Sequence, residues 1–264
     1  MLFKIEIRAK ANHARIGLGI GEASEKLIRS AQDAREYADV VLVGDEEQIR
    51  ATGTELEMIH STEPSKKLVR LLMDEEIDGA VRGTLSATKT LSALKNSVGM
   101  KKLYRIALME TADGIPFFLA PVGIDEGNSV EDKMELVKRG VHHINRLGIE
   151  ARVGILSGGR LEDRGRDKTV DRTLDEAETV TQLLKDFGIN ATNYSILIED
   201  AIKEANFIIA PDGISGNLIF RTLVFIGGGH GYGAAVLMDK VFVDTSRVKE
   251  DAARAIMFAS ALVE

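Results

Sequence analysis

The sequence predicts an α/β fold with mostly parallel sheets, and three observations carry that reading. Short apolar runs alternate with longer amphipathic stretches from one end to the other, and strand followed by helix, many times over, is how parallel sheets are built. With 44% apolar residues among 264 there is material for one large core or two smaller ones. Only 5% of residues are aromatic and there is no Trp, which argues against an all-β sandwich. Right-handed crossovers then place helices on both faces of the sheet.

In chain order, "RIGLGIG" is followed by "EASEKLIRSAQDAREYA", which sets Ala23, Leu27, Ile28, Ala31, Ala34 and Ala38 on one helical face. "DVVLVGD" reads as a buried strand, and "ELEMIHS" with "PSKKLVRLLMDEE" repeats the alternation. "DGAVRG" leads into the helix "SATKTLSALKNSVG", and "LYRIALMET" closes the first half. The second half runs through "PFFLAPVG", the helix "SVEDKMELVKRGVHHINRLG", the strand "ARVGILSGG" and the helix "TVDRTLDEAETVTQLLKDFG". It ends with "NYSILIED", "ANFIIAP", a helix from Asn217, "AAVLM", "VFVDTS" and a last helix from Val248. The helix from Asn217 is apolar on nearly every face, so it is expected to be buried. The polar turn "ETADGIP" at 110–116 is the expected domain boundary, with a return crossing in the glycine-rich loop near 230. That gives a first α/β domain of 1–112 plus 230–264 and a second of 113–229.

The net charge is -7 with both signs spread along the chain, so nucleic acid is not an expected partner. No cysteine is present. That excludes disulfides and thiolate chemistry and suits a reducing cytoplasm. "MLFKIEIRAK" mixes charge into its apolar residues, unlike a signal peptide, and no apolar run approaches membrane-spanning length. Metal-ligand spacing is absent, since His142 and His143 are adjacent on a helix. No metal and no tightly bound cofactor are expected.

Ligands in such folds bind outside the carboxyl ends of strands, against helix N-termini. "GLGIGEAS" offers Gly17, Gly19 and Gly21, but Glu22 stands where a dinucleotide fingerprint needs glycine, which favours a plain strand-to-helix turn. In "VRGTLSATKT", Arg82 ends a strand and Thr84, Ser86 and Thr88 surround a helix start. Either Ser86 is simply an N-cap, or Arg82, the hydroxyls and the helix amides hold an anion such as phosphate. "SGGRLEDRGRDK" is a solvated, self-paired loop or a phosphate nest at Ser157-Gly158-Gly159 under Arg160, Arg164, Arg166 and Lys168. In "PDGISGN", Asp212 and Asn217 flank Gly213 and Gly216, with Asn217 as the expected helix cap. These polar groups pair with backbone, or they face a ligand or a dimer partner. "GGGHGYG" bares backbone at Gly228 and Gly229 beside His230. "VDTSRVKED" ends a strand with Ser246 and Arg247 before a helix whose cap is a Ser or Thr.

"DVVLVGDEEQIR", "DGAVRGTLSATKT", "APDGISGNLIFRTL" and "VDTSR", in that order, resemble the phosphate acetyltransferase and butyryltransferase family. The strongest piece is its Pro-Asp-x-x-x-Gly-Asn signature, here Pro211, Asp212, Gly216 and Asn217. Within that family the chain is similar to the small methyltransferase-related subunit X branch of methanogenic archaea. The resemblance implies two α/β domains of isocitrate/isopropylmalate dehydrogenase-like topology with an interdomain cleft, in a homodimer. It implies acyl transfer between phosphate and the thiol of coenzyme A, as co-substrate, with Ser246 and Arg247 at the carbonyl. Asp251 is the implied acid, provided two residues are absent between it and Ser246 relative to the family. The branch name adds a methyltransferase complex as an expected partner. Val248 stands where acetyltransferases carry Gly, and the chain is shorter than theirs.

Overall fold

The structure is a computed structural model that describes residues 1–246 and 251–264. In chain order the first elements are α1 (Leu2–Asn12), β1 (Arg15–Gly19), α2 (Glu25–Asp33), β2 (Asp39–Gly44), α3 (Glu46–Arg50) and β3 (Glu57–His60). Next come α4 (Pro64–Met73), β4 (Gly79–Val81), α5 (Ala87–Ser97), β5 (Arg105–Glu110), β6 (Pro116–Ala120) and α6 (Val130–Arg146). Then follow β7 (Val153–Ile155), α7 (Lys168–Asp186), β8 (Ala191–Asn193), α8 (Ile198–Glu204), β9 (Phe207–Ile209) and α9 (Gly213–Phe225). The last are β10 (His230–Val236), β11 (Val241–Asp244) and α10 (Ala253–Leu262). Many helices start on a short polar side chain that accepts a first-turn amide. Ser24 takes Leu27 N, Asp45 takes Gln48 N, Ser86 takes Lys89 N and Ser129 takes Asp132 N.

The chain divides into two compact units, Met1–Leu103 with Tyr232–Glu264, and Tyr104–Gly231. In the first the strand order is β3-β2-β1-β4-β11-β10. Every pairing there is parallel except β10 with β11. Its inner strands β1, β2 and β4 are apolar runs because both faces are covered: Leu68 and Leu72 of α4 pack with Val43, Ile77, Leu85, Leu94 and Phe242 in one buried cluster. Helix α1 packs on α10 and closes its end. Arg8 Nε donates to Ala261 O at 2.8 Å, and Asn12 Nδ2 donates to Ser260 O and Val263 O at 2.9 and 2.6 Å, satisfying carbonyls that a helix C-terminus leaves open.

In the second unit the order is β5-β6-β9-β7-β8, antiparallel only between β5 and β6. Its core centres on Phe117, Phe118 and Phe207, all fully buried. Buried Lys133 of α6 reaches Glu176 of α7 at 2.6 Å.

Three expectations are corrected. The turn at 110–116 is a hairpin loop, since Thr111 N donates to Ile115 O at 3.0 Å and β5 pairs with β6. The division therefore falls at Leu103/Tyr104 and Gly231/Tyr232. Helix α9 starts at Gly213 with Asp212 as its cap, four residues before Asn217, and it is not buried: Ile214, Leu218 and Phe225 are exposed. Helix α10 runs from Ala253, with Asp251 and Ala252 ahead of it and Val248 outside the described residues, and its first amides are taken from outside. Ala252 N and Ala253 N both donate to Ser30 Oγ at 2.9 Å. Among the described residues, no helix is long and apolar enough to cross a membrane.

Candidate functional site

Two groups of loops lie at strand carboxyl ends, one in each unit. In the first unit, β1, β4 and β11 are parallel neighbours, so the segments after them emerge on one edge. They interlock. Arg82 N continues the ladder to Val243 O at 3.0 Å, and Thr84 N donates to Gly19 O at 3.1 Å. Thr84 Oγ1 accepts from Gly21 N and Glu22 N at 3.0 and 3.1 Å. A side chain at Gly21 would lie 2.8 Å from Thr84 O, and one at Gly19 would run into Leu85 and the Arg82 carbonyl. Gly19, which ends β1, and Gly21 therefore make room for the β4 loop.

Arg82 is buried. Its Nε is ion-paired with Asp244 and its Nη1 donates to Leu85 O at 2.6 Å. Its charge is thus met inside the fold, by a carboxylate at the end of the neighbouring strand. Thr245 Oγ1 donates to Gly83 O at 3.1 Å. The two residues ahead of Ser246 are each tied to the β4 loop, and Ser246 follows at a half-buried position. Ser86 is the N-cap of α5 and Thr88 is exposed in its first turn. Arg247 lies outside the described residues. Asp251 is built into the α2–α10 junction: its Oδ1 accepts from Ser30 Oγ at 2.9 Å and its Oδ2 from Arg254 Nη1 at 2.8 Å.

In the second unit, β6 and β9 are parallel neighbours, and the loops after them form a clasp. Asp212 caps α9, accepting from Ser215 N at 2.8 Å. Gly213 N donates to Glu126 O at 3.2 Å. A Cβ at Gly213 would overlap Gly123 O, and one at Gly216 would overlap Pro121 O. Asn217 Nδ2 donates to Val122 O at 3.0 Å. Beneath the loop, fully buried Glu126 accepts from Arg105 Nε at 2.7 Å. Burial raises the Glu126 carboxyl above its ordinary value, and the Arg105 charge opposes that shift. The Pro-Asp-x-x-x-Gly-Asn residues thus serve a helix–loop joint.

The remaining loops are also internally satisfied. Ser157 N donates to Ser195 O at 2.8 Å, Gly158 N to Thr173 Oγ1 at 2.9 Å and Arg160 N to Asp163 Oδ2 at 3.0 Å, so amides a phosphate nest would need are in use. Arg164 pairs with Asp175 and Arg166 with Asp163, as in the solvated-loop reading. Gly227 N and Gly229 N donate to Thr222 O and Leu223 O at 2.8 and 3.0 Å. Gly228, at φ 69°, and its neighbours therefore end α9, and half-buried His230 opens β10. Among the described residues, no group of three or more His, Asp or Glu is placed to hold a metal ion.

Asp244, Arg105 and Glu126 were not singled out in the sequence. An Arg and an Asp at the ends of two apolar strands were the available signal for the first pair. Nothing in the spacing of Arg105 and Glu126 marks the second.

No protein-family model matches the chain. It is 57% identical to the "Putative methyltransferase mtx subunit X" of Methanosarcina barkeri over 259 residues, 97% of this chain and 96% of that one. It is 39% identical to an uncharacterized methyltransferase of Methanocaldococcus jannaschii over 87% of this chain and 89% of the other. A phosphate acetyltransferase of Rickettsia felis is 24% identical over 64% of this chain and 54% of its own length. Among solved structures, a branched-chain phosphotransacylase from Enterococcus faecalis superposes with a TM-score of 0.73 at 17% identity, over 94% of this chain and 99% of that one. EutD phosphotransacetylase from Staphylococcus aureus gives 0.72 at 18% over 98% and 97%. A 4-hydroxythreonine-4-phosphate dehydrogenase from Klebsiella pneumoniae gives 0.66 at 11% over 95% and 100%. At these identities the structural likeness is one of fold. The chain belongs to the mtx subunit X family, built on a phosphotransacetylase-like fold.

Proposed function

We propose that the protein is a transferase of the phosphate acyltransferase type, moving an acyl group between phosphate and a thiol such as coenzyme A. The observation that supports this best is the double anchoring ahead of Ser246. Asp244 is held by Arg82 and Thr245 by the Gly83 carbonyl, which fixes the Ser246 backbone at a strand's carboxyl end, where ligands bind in such folds. In this reading the thiol sulfur attacks the acyl carbon. Ser246 Oγ donates to the carbonyl oxygen as it gains charge. The bond from carbon to the phosphate oxygen breaks, and the departing phosphate carries the thiol proton away. Arg247, next in sequence, joins Ser246 in polarising that carbonyl.

The test is coenzyme A-dependent phosphate release from acetyl, propionyl and butyryl phosphate. Ser246→Ala is expected to lose about 10²–10³ in kcat, the cost of one oxyanion donor, and Arg247→Ala to lose phosphate-dependent exchange, both with unchanged circular dichroism. A wild-type chain without exchange on any of the three overturns the proposal.

A second reading is methyl transfer, alone or in a complex, favoured by the methyltransferase names of relatives at 57% and 39% identity. Co-purification with a methyltransferase supports it, and a chain that always isolates alone counts against it. Ligand-induced melting shifts with acyl phosphate or coenzyme A, without turnover, would mark a binding protein that kept the fold and lost the chemistry.

A further inference from the structure

Helix α10 has no side-chain cap of its own, because the residue ahead of it is Ala252. The cap comes from α2. Ser30 Oγ accepts from Ala252 N and Ala253 N at 2.9 Å and donates to Asp251 Oδ1 at 2.9 Å. A hydroxyl has one proton and two acceptor lone pairs. Ser30 is therefore filled: two amides occupy its lone pairs, and its proton goes to the Asp251 carboxylate. The other carboxylate oxygen, Oδ2, accepts from Arg254 Nη1 at 2.8 Å. The Arg254 guanidinium in turn lies over the ring of buried Tyr232 at 5.8 Å.

We propose that Ser30 and Asp251 are positioning residues for the acyl exchange, and that Asp251 does not take the thiol proton. The proposal rests on the acyl-transfer reading above, and it departs from the acid's role that the family resemblance implies. Both Asp251 oxygens already accept, one of them from a guanidinium, and hydrogen bonds between ionised groups are roughly twice as strong as neutral ones. A proton on Asp251 would weaken both bonds, and Ser30 has no lone pair left to receive it in exchange. The carboxylate also stands just ahead of a helix N-terminus, where negative charge is favoured. The thiol proton then leaves with the phosphate. Sulfur bonds to the acyl carbon, the bond from that carbon to the phosphate oxygen breaks, and the freed phosphate keeps the proton.

The network acts on Ser246 through the chain. Ser246 is tied on its strand side, where Asp244 pairs with Arg82 and Thr245 donates to the Gly83 carbonyl. Asp251, five residues on, is tied on the helix side by Ser30. Helix α10 itself packs on β4, β11 and α2, with Ala255 to Leu262 all buried. A short connection fixed at both ends has little conformational freedom left to lose when substrate binds. Loosening the Ser30 end would let Ser246 Oγ drift from the carbonyl oxygen it must meet.

The test is steady-state exchange by the full-length chain, well below its melting temperature, with coenzyme A and whichever of acetyl, propionyl and butyryl phosphate the wild type turns over fastest. Ser30→Ala and Asp251→Asn are each expected to lower kcat about tenfold, within what a small misplacement costs, with the KM for acyl phosphate near wild type. The double variant is expected to be no slower than the slower single one, because both changes break one network. Ser30→Thr, which keeps the hydroxyl, is expected to retain more kcat than Ser30→Ala. A loss of about 10²–10⁴ in Asp251→Asn, the cost of a general acid or base, overturns the proposal. Unchanged kcat in both single variants also overturns it, since the network would then be a helix cap and nothing else. If Ser30→Ala fails to fold, Asp251→Asn decides by the same two limits. A wild type with no exchange on any of the three acyl phosphates overturns the acyl-transfer reading, and this role with it. With an active wild type, either overturning pattern removes only the role given to Ser30 and Asp251.

Discussion

The Asn217 side-chain amide donates to the main-chain carbonyl of Val122 at 3.0 Å, joining the first turns of α9 to the loop after β6. Asn217→Ala leaves that carbonyl short of its donor and is expected to cost about 1–3 kcal/mol, the usual penalty for a stranded polar group. Asn217→Asp removes the donor and adds a carboxylate facing a carbonyl oxygen, so it should cost more at neutral pH than the alanine change. Urea unfolding at pH 7 ranks the two. Equal losses would show that Val122 O finds another partner.

Gly216 sits where a Cβ would overlap Pro121 O, and Gly213 where one would overlap Gly123 O. Backbone atoms on both sides cannot yield as a flexible side chain would. Gly216→Ala and Gly213→Ala are each expected to destabilise the chain by roughly 1–3 kcal/mol or more, the scale of overpacking, even though Ala favours the helix by about 1 kcal/mol. The neighbouring Ser215→Ala should be mild, because Ser215 takes part through its backbone N–H. Thermal melts of the three separate crowding from helix propensity.

The sequence displayed the architecture well. Apolar runs such as Val40–Val43 and Phe207–Ile209 are fully buried strands, and polar side chains before amphipathic stretches are caps. The site is less legible in the sequence, because residue type shows what a group can do and not what meets it. Arg82 has the chemistry to hold a phosphate, but Asp244, from a distant part of the chain, takes its charge. Asp212 and Asn217 both pair with backbone, one of the two readings their sequence allows, but the cap is Asp212 and not Asn217. The apolar α9 illustrates the same limit from the other side. An apolar helix must be covered, but nothing in its composition says whether the cover is its own chain or another.

In the Arg82–Asp244 pair Arg82 is buried and Asp244 is only slightly exposed. Removing one partner strands a charge, so Arg82→Met and Asp244→Asn are each expected to cost about 3–5 kcal/mol, while removing both should cost less than the two added together. If Arg82 positions Ser246 and does not touch phosphate, a milder Arg82→Lys should lower kcat for acyl exchange and leave the KM for acyl phosphate near wild type. A rise in KM with kcat intact would instead place Arg82 on the ligand. Double-mutant unfolding with steady-state kinetics reads both.

Glu126 is fully buried under the clasp, and its carboxyl is raised above the ordinary value of 4.5, by burial first and against the pull of Arg105. A raised acid binds its proton more tightly folded than unfolded. Its stabilising contribution is therefore fully present below the unfolded value and is lost as pH climbs through the folded one. In wild type, Glu126 should thus erode stability as pH rises from about 4.5 towards neutrality. Glu126→Gln keeps the shape without the titration. It should be less stable than wild type in acid, where Arg105 has lost an acceptor of matching geometry, and the gap should narrow as pH rises. Unfolding free energies of the two proteins at matched ionic strength, measured from acid to neutral pH, give that difference directly. A gap that widens with pH would mean that the Arg105 charge outweighs burial at Glu126 and that the pair favours the ionised form.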